Sequence, residues 1–162
     1  MAFKLRSPAF GPDGDIPVRH ASDGSDVSPP LRWTDPPDGT KSFALTVAAL
    51  DSTSGLSVHW LLYGIPATVR ELPEGIPRQD AVPGIGSQGL NDLGVVGYSG
   101  PCPPPGPAHR YAFTLYALDT LVSLLPRKTR ADLRKAMYGH VVVRVKLIGR
   151  TATALRFGGR SV

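Results

Sequence analysis

Only one cysteine occurs in the chain, Cys102, which excludes an internal disulfide framework and fits a reducing compartment. No apolar run approaches the roughly 20 residues that a membrane-spanning helix needs. The opening Met-Ala-Phe-Lys-Leu-Arg-Ser-Pro lacks the apolar stretch of a secretion signal. There is no internal repeat and no break in composition that would mark a boundary, so residues 1–162 are expected to form a single domain. Together these absences predict a cytoplasmic chain.

Acidic residues are scarce at one end. Residues 127–162 carry ten Lys or Arg against Asp132 alone, whereas residues 1–126 carry eight against twelve acids. Such a basic face attracts phosphates on lipid, nucleotide or nucleic acid. The simpler account is a solvated helix face beside a charged strand edge.

Turn chemistry fills much of what remains. Gly11-Pro12-Asp13-Gly14, Asp23-Gly24-Ser25, Ser28-Pro29-Pro30 and Asp35-Pro36-Pro37-Asp38-Gly39 make residues 11–41 irregular. Short extended pieces are expected between them at Ile16–His20 and Leu31–Thr34. Ser42–Leu50 is a near-continuous apolar run of strand length, as a central strand covered on both faces would be. A second run, Val58–Ile65, alternates, so that His59, Leu61 and Tyr63 are expected on one face and Val58, Trp60 and Leu62 on the other. Residues 66–97 return to loop character around Asn91-Asp92 and its flanking glycines. Near the end, Thr129 and Asp132 resemble a capping box, Leu133, Ala136 and Met137 form an apolar stripe, and Gly139 stops the helix. Val141–Ile148 then alternates as a half-exposed strand.

The stretch Tyr98–Leu118 organises the chain. Pro101, Pro103, Pro104, Pro105 and Pro107 fix φ and remove amide donors, so its first half is a stiff loop. Its second half has period two, which puts His109, Tyr111, Phe113 and Leu115 on one face of a strand. A rigid loop thus delivers His109 and Tyr111 to the lip of an apolar sheet face, the construction of a small pre-formed polar site. Asp51 and His59 also arrive at strand ends next to turns. Each is usually structural when alone; together they would make a site if the fold joins them.

Several chemistries use these residue types. Cys102 with His109, His59 and Asp51 would supply a Cys-His-Asp hydrolase set, although a proline-rich loop lacks the helix N-terminus that usually activates a thiol. His59, His109 and Asp51 are adequate zinc donors but lack any metal-binding spacing. Pro101–Pro107 could serve as a polyproline ligand, yet it runs straight into a core strand. Nucleic-acid binding would rest on the basic end alone.

Asn91-Asp92-Leu-Gly94, Gly97-Tyr98, Gly100-Pro101-Cys102-Pro103-Pro104, His109-Arg110-Tyr111 and Ala117-Leu118, in this order, resemble the phosphatidylethanolamine-binding protein family in its bacterial, Raf-kinase-inhibitor-like branch. The likeness extends to Ser28-Pro29-Pro30-Leu31-Arg32-Trp33, Ser42–Val47, His59-Trp60 with Ile65-Pro66, and Met137-Tyr138-Gly139-His140, nearly the whole chain. It implies a mainly β fold: a large antiparallel sheet packed with a smaller sheet, and few helices. It also implies an anion pocket, whose positions fall on Asp51, His59, Pro103, Pro104, His109 and Tyr111. The expectation is a non-enzymatic protein that binds a small anionic or phosphate-bearing head group, with regulatory binding to a kinase or protease as the family's accompaniment. No cofactor, metal or nucleic acid is expected and at most peripheral membrane contact; a homodimer is left open. One departure touches the ligand. Aligned without gaps from Ser42, the first Asp of the family's Asp-Pro-Asp-Ala-Pro element becomes Ala49 and only Asp51 remains; a gapped alignment lets Asp51 take the first place.

Overall fold

The computed structural model describes residues 2–50, 57–101 and 109–151. The apolar run predicted to be central is the middle strand of a seven-stranded sheet. Ser42–Ala49 forms β4, with only Ala48 partly open to solvent. Its neighbours are β5 (Val58–Pro66) and β9 (His109–Leu118), both antiparallel to it. β10 (Val141–Thr151) follows β9, and β2 (Gly14–Asp15) lies outermost. On the other side β8 (Gly86–Gln88) and β7 (Ala81–Val82) finish the order β2-β10-β9-β4-β5-β8-β7. The sheet is antiparallel except for the short parallel pairing of β2 with β10. A smaller antiparallel sheet, β1-β3-β6, is made of Lys4–Arg6, Leu31–Thr34 and Glu71–Leu72.

Both faces of the large sheet are covered, which is why β4 reads as unbroken apolar sequence. Phe43, Leu45, Val47, Trp60, Phe113 and Leu115 meet Leu5, Leu31, Trp33 and Leu72 of the smaller sheet in one core. Trp33 packs edge-on against Phe43 with centroids 5.4 Å apart. Burying a side chain such as Phe43 contributes roughly 1.5–3 kcal/mol. On the opposite face Ala44, Leu61, Tyr63 and Leu118 receive the helix α1 (Arg130–Met137) through Leu133 and Met137. The cap is as the sequence spacing predicts: the Thr129 side chain accepts from the Asp132 amide, and the Asp132 side chain accepts from the Thr129 amide. Gly139 follows at φ +78, a conformation natural to glycine.

Three expectations are corrected. Ile16–His20 is not extended throughout: Val18–His20 is a short 3-10 turn, started by Pro17 at φ −56. Residues 66–97 are not loop throughout, because β6, β7 and β8 complete the two sheets from within them. The facing of β5 also differs. Trp60 pairs with Val47 but Val58 pairs with Ala48, so one extra residue, His59, is inserted as a bulge. Val58 therefore joins Leu61 on the helix side, and His59 turns away from Leu61 and Tyr63.

Candidate functional site

The bulge brings His59 to Tyr111. The two rings meet edge-to-face, with centroids 5.4 Å apart and planes at 87°. Tyr111 stands on the same face of β9 as Phe113 and Leu115, as the alternation predicts, and is 4% exposed. His109 is the first residue of β9 and shares that face by alternation; its amide donates to the Thr151 hydroxyl at 3.4 Å. Both histidines are half-buried. So the fold places His59 and Tyr111 in contact and His109 two residues along the same strand. Asp51, Pro103, Pro104 and Cys102 lie outside the described residues.

The register also locates the departure from the family pattern. Ala49, the last residue of β4, pairs directly with Tyr111 and packs in the same core. β4 pairs with β9 without a break from Ser42 to Ala49, so under the ungapped alignment Ala49 is the residue that stands beside Tyr111. Beside Tyr111, where that alignment puts the family's carboxylate, this chain has a methyl group.

His59 has a fixed orientation. Its Nδ1–H donates to the carbonyl of Ser99 at 2.8 Å, and the Ser99 amide donates back to the carbonyl of His59 at 3.0 Å. A carbonyl only accepts, so Nδ1 carries the proton and Nε2 is left as an acceptor, or as a donor once the ring is charged. The bulge is held by Asn91-Asp92, which sequence reasoning marked only as a turn. The Asp92 carboxylate accepts from the Val58 amide at 2.7 Å, and its amide donates to the Val58 carbonyl at 2.9 Å. Asn91 is buried; its Oδ1 accepts from the amides of Leu93 and Val95. Its Nδ2 donates to the Gly97 carbonyl and to the Ser99 hydroxyl at 2.9 Å. One Asn-Asp pair therefore fixes both the strand carrying His59 and the segment accepting from its ring.

The entrance to the proline loop is anchored in turn. The Gly100 amide donates to Asp26 Oδ1 at 2.7 Å, and the Ser22 amide donates to the Pro101 carbonyl at 3.0 Å. Arg78 ties both sides, donating from Nε to the Tyr98 carbonyl and pairing with Asp26 at 3.0 Å. The buried Tyr98 phenol donates to the His20 carbonyl at 2.7 Å; burial pushes it well above the usual tyrosine range, so it stays a neutral donor. His20 is itself buried: Nδ1 bonds the Val27 carbonyl, while Nε2, without a hydrogen-bond partner among the described residues, lies 3.6 Å from Glu74 Oε1. Apart from the bond between His20 and Val27, these supports join segments twenty or more residues apart, which no local pattern encodes.

Chemically, the described part of the site offers an imidazole edge and a phenol at the rim of an apolar core. Among the described residues no three His, Cys, Asp or Glu side chains gather as a metal site would require. Again among these residues, no helix is long and apolar enough to cross a membrane.

Comparison with known proteins places this arrangement. The "UPF0098 protein" of Methanothermobacter thermautotrophicus is 44% identical over 147 residues, spanning 91% of this chain and 97% of that protein. A solved phosphatidylethanolamine-binding protein homologue from Chlamydia trachomatis superposes with a TM-score of 0.83 at 37% identity, covering 92% of this chain and 96% of that one. YbcL of Escherichia coli, described as a new member of the mammalian family of that name, gives a TM-score of 0.85 at 29% identity, with 93% and 98% covered. The family model described as "Phosphatidylethanolamine-binding protein" matches residues 6–152. With that match, a shared two-sheet architecture and prokaryotic relatives along nearly its whole length, the chain belongs to the phosphatidylethanolamine-binding protein family.

Proposed function

We propose that the chain binds a small anion, a phosphate or phosphate-bearing head group, at the lip where His59, His109 and Tyr111 gather, with Pro103 and Pro104 as the wall and Asp51 beside it. The observation that carries this reading is the orientation of His59. With Nδ1 committed to Ser99, its Nε2 is the edge left for a ligand, and Tyr111 holds the ring edge-on. Protonated, that edge donates to an anionic oxygen in a charge-assisted hydrogen bond. Family membership supports the same position through the His-Arg-Tyr run at 109–111.

The protein acts as a binder and not as an enzyme. A triad histidine is oriented, and its charged form stabilised, by a carboxylate on Nδ1, whereas His59 donates from Nδ1 to a carbonyl. The methyl of Ala49 supplies no acid next to Tyr111. The hydrolase reading through Cys102 gains no support from these features. Regulation, where it occurs, follows from occupancy of the pocket changing the surface that a protein partner meets.

The reading is tested by calorimetric titration with inorganic phosphate and with O-phosphorylethanolamine, on the native chain and on His109→Ala. Binding should weaken by about tenfold in the variant, the order of one charge-assisted hydrogen bond. Equal affinity in both proteins would refute the assignment.

A further inference from the structure

The basic end of the sequence is not absorbed by this pocket, and the fold gathers part of it elsewhere. On the helix side of the large sheet, α1, β4, β9 and β10 enclose a groove of about 400 Å³. Thr46, Tyr116 and Arg144 line it from the sheet, and Arg130, Arg134 and Met137 from the helix. Register explains the convergence: Tyr116 pairs directly with Arg144, so both project to the same face. Arg130 and Arg134 are four residues apart, which puts them on one ridge of α1. The floor is apolar, made by Leu133, Met137 and Val141, and Tyr138 stands at the rim, 85% exposed.

This placement opposes the helix's own preferences. Like charges four apart destabilise a helix, and Arg130 sits in its first turn, where the dipole disfavours cations. Burial, with the neighbouring charge of Arg134, loosens Arg130's hold on its proton. Among the described residues, no carboxylate forms an ion pair with Arg130, Arg134 or Arg144. The one acid of α1, Asp132, is engaged with Thr129 in the cap. Three guanidiniums thus line one cavity with no ion-pair partner among the described residues, beside a phenol and a threonine hydroxyl. Guanidinium forks match phosphate oxygens. The volume suits a small molecule, and the Met137 and Tyr138 side chains give an aromatic body something to lie on.

We propose that this groove is a second binding site, separated from the first by the thickness of the sheet, for a phosphate monoester carried on an aromatic ring. The phosphate sits among Arg130, Arg134 and Arg144, and the ring over Met137 and Tyr138.

The test is a ¹H–¹⁵N NMR titration of the full chain with phenyl phosphate, inorganic phosphate and phenol. It is repeated on Arg134→Ala and Arg144→Ala, two exposed positions whose loss leaves the core intact, and on His109→Ala. Phenyl phosphate should shift amides of α1 and β10 and bind more tightly than inorganic phosphate. Either arginine variant should weaken it by about tenfold or more, while His109→Ala leaves it unchanged. Shifts confined to the surroundings of His59 and Tyr111, or unaltered binding in both arginine variants, would overturn the proposal. So would phenol binding as well as phenyl phosphate. A response to short RNA or to phosphatidic acid vesicles without any to phenyl phosphate would overturn it too, and would assign the basic face to a macromolecule or a membrane instead.

Discussion

At the first pocket an imidazole from β5 and a methyl from β4 stand beside Tyr111. In the proposed site that methyl bears on which ligands can be told apart. There a phosphate would meet the histidines, while Ala49 supplies no acceptor for an amine on the same ligand. Ala49→Asp should therefore raise the preference for O-phosphorylethanolamine over phosphate, read by paired titrations. It should also lower stability by about 1–3 kcal/mol in a denaturant melt, because position 49 is 8% exposed and the new carboxylate is desolvated when empty. An unchanged preference would mean that Ala49 does not stand in the ligand's path. Gly100 makes a second residue-scale prediction. A Cβ there would lie 2.2 Å from the His20 carbonyl, so Gly100→Ala must displace the segment that enters the proline loop. A loss of about 2–4 kcal/mol is expected, with anion affinity falling alongside. The facing of Tyr111 could be read from alternation because β9 pairs without a break from Ala117 to His109. The facing of His59 could not, because its bulge is imposed by Asp92, more than thirty residues away.

Among the elements, α1 was the most legible because its signals are local. Thr129 and Asp132 satisfy each other's amides across three residues, and Leu133 and Met137 share a face. Thr129→Ala should cost about 1 kcal/mol, measured by chemical denaturation. Hydrogen bonds from Thr129 hold the Asp132 carboxyl below the usual carboxylate range. A depressed folded pKa contributes stability above the unfolded value, and that contribution is lost as pH falls through the folded value. The carboxylate's share of the cap should hence hold at neutral pH and be lost only below about pH 4, where the gap between the native chain and Thr129→Ala narrows to the bond between the Thr129 hydroxyl and the Asp132 amide. Convergence at neutral pH would contradict the cap's role. β6, β7 and β8 carry no comparable signal. They span two or three residues each and are strands only because partners such as Leu31, Tyr63 and Leu62 are waiting. The 3-10 turn at Val18–His20 carries no clear local signal either: Val18 is a strand former, and the turn follows Pro17 at φ −56.

Across the whole molecule the large sheet works as a partition. One face carries the two-sheet core and ends at His59, Tyr111 and the start of β9; the other carries α1 and the arginine groove. Three of the ten basic residues in 127–162, Arg130, Arg134 and Arg144, are gathered on the helix side by that partition. Family, fold class and the His109–Tyr111 pair were legible because they reside in ordered motifs and in period-two alternation. The supports that aim His59 reside in contacts between Asn91, Ser99, Asp26 and Arg78, which no local pattern encodes. The central claim is that the histidine lip holds an anion, and a crystal of the native chain soaked in O-phosphorylethanolamine tests it most directly. The account predicts phosphate density within hydrogen-bonding distance of His59 Nε2 and His109, absent in a His109→Ala crystal. Density elsewhere, or an unoccupied lip at full soaking, would contradict it.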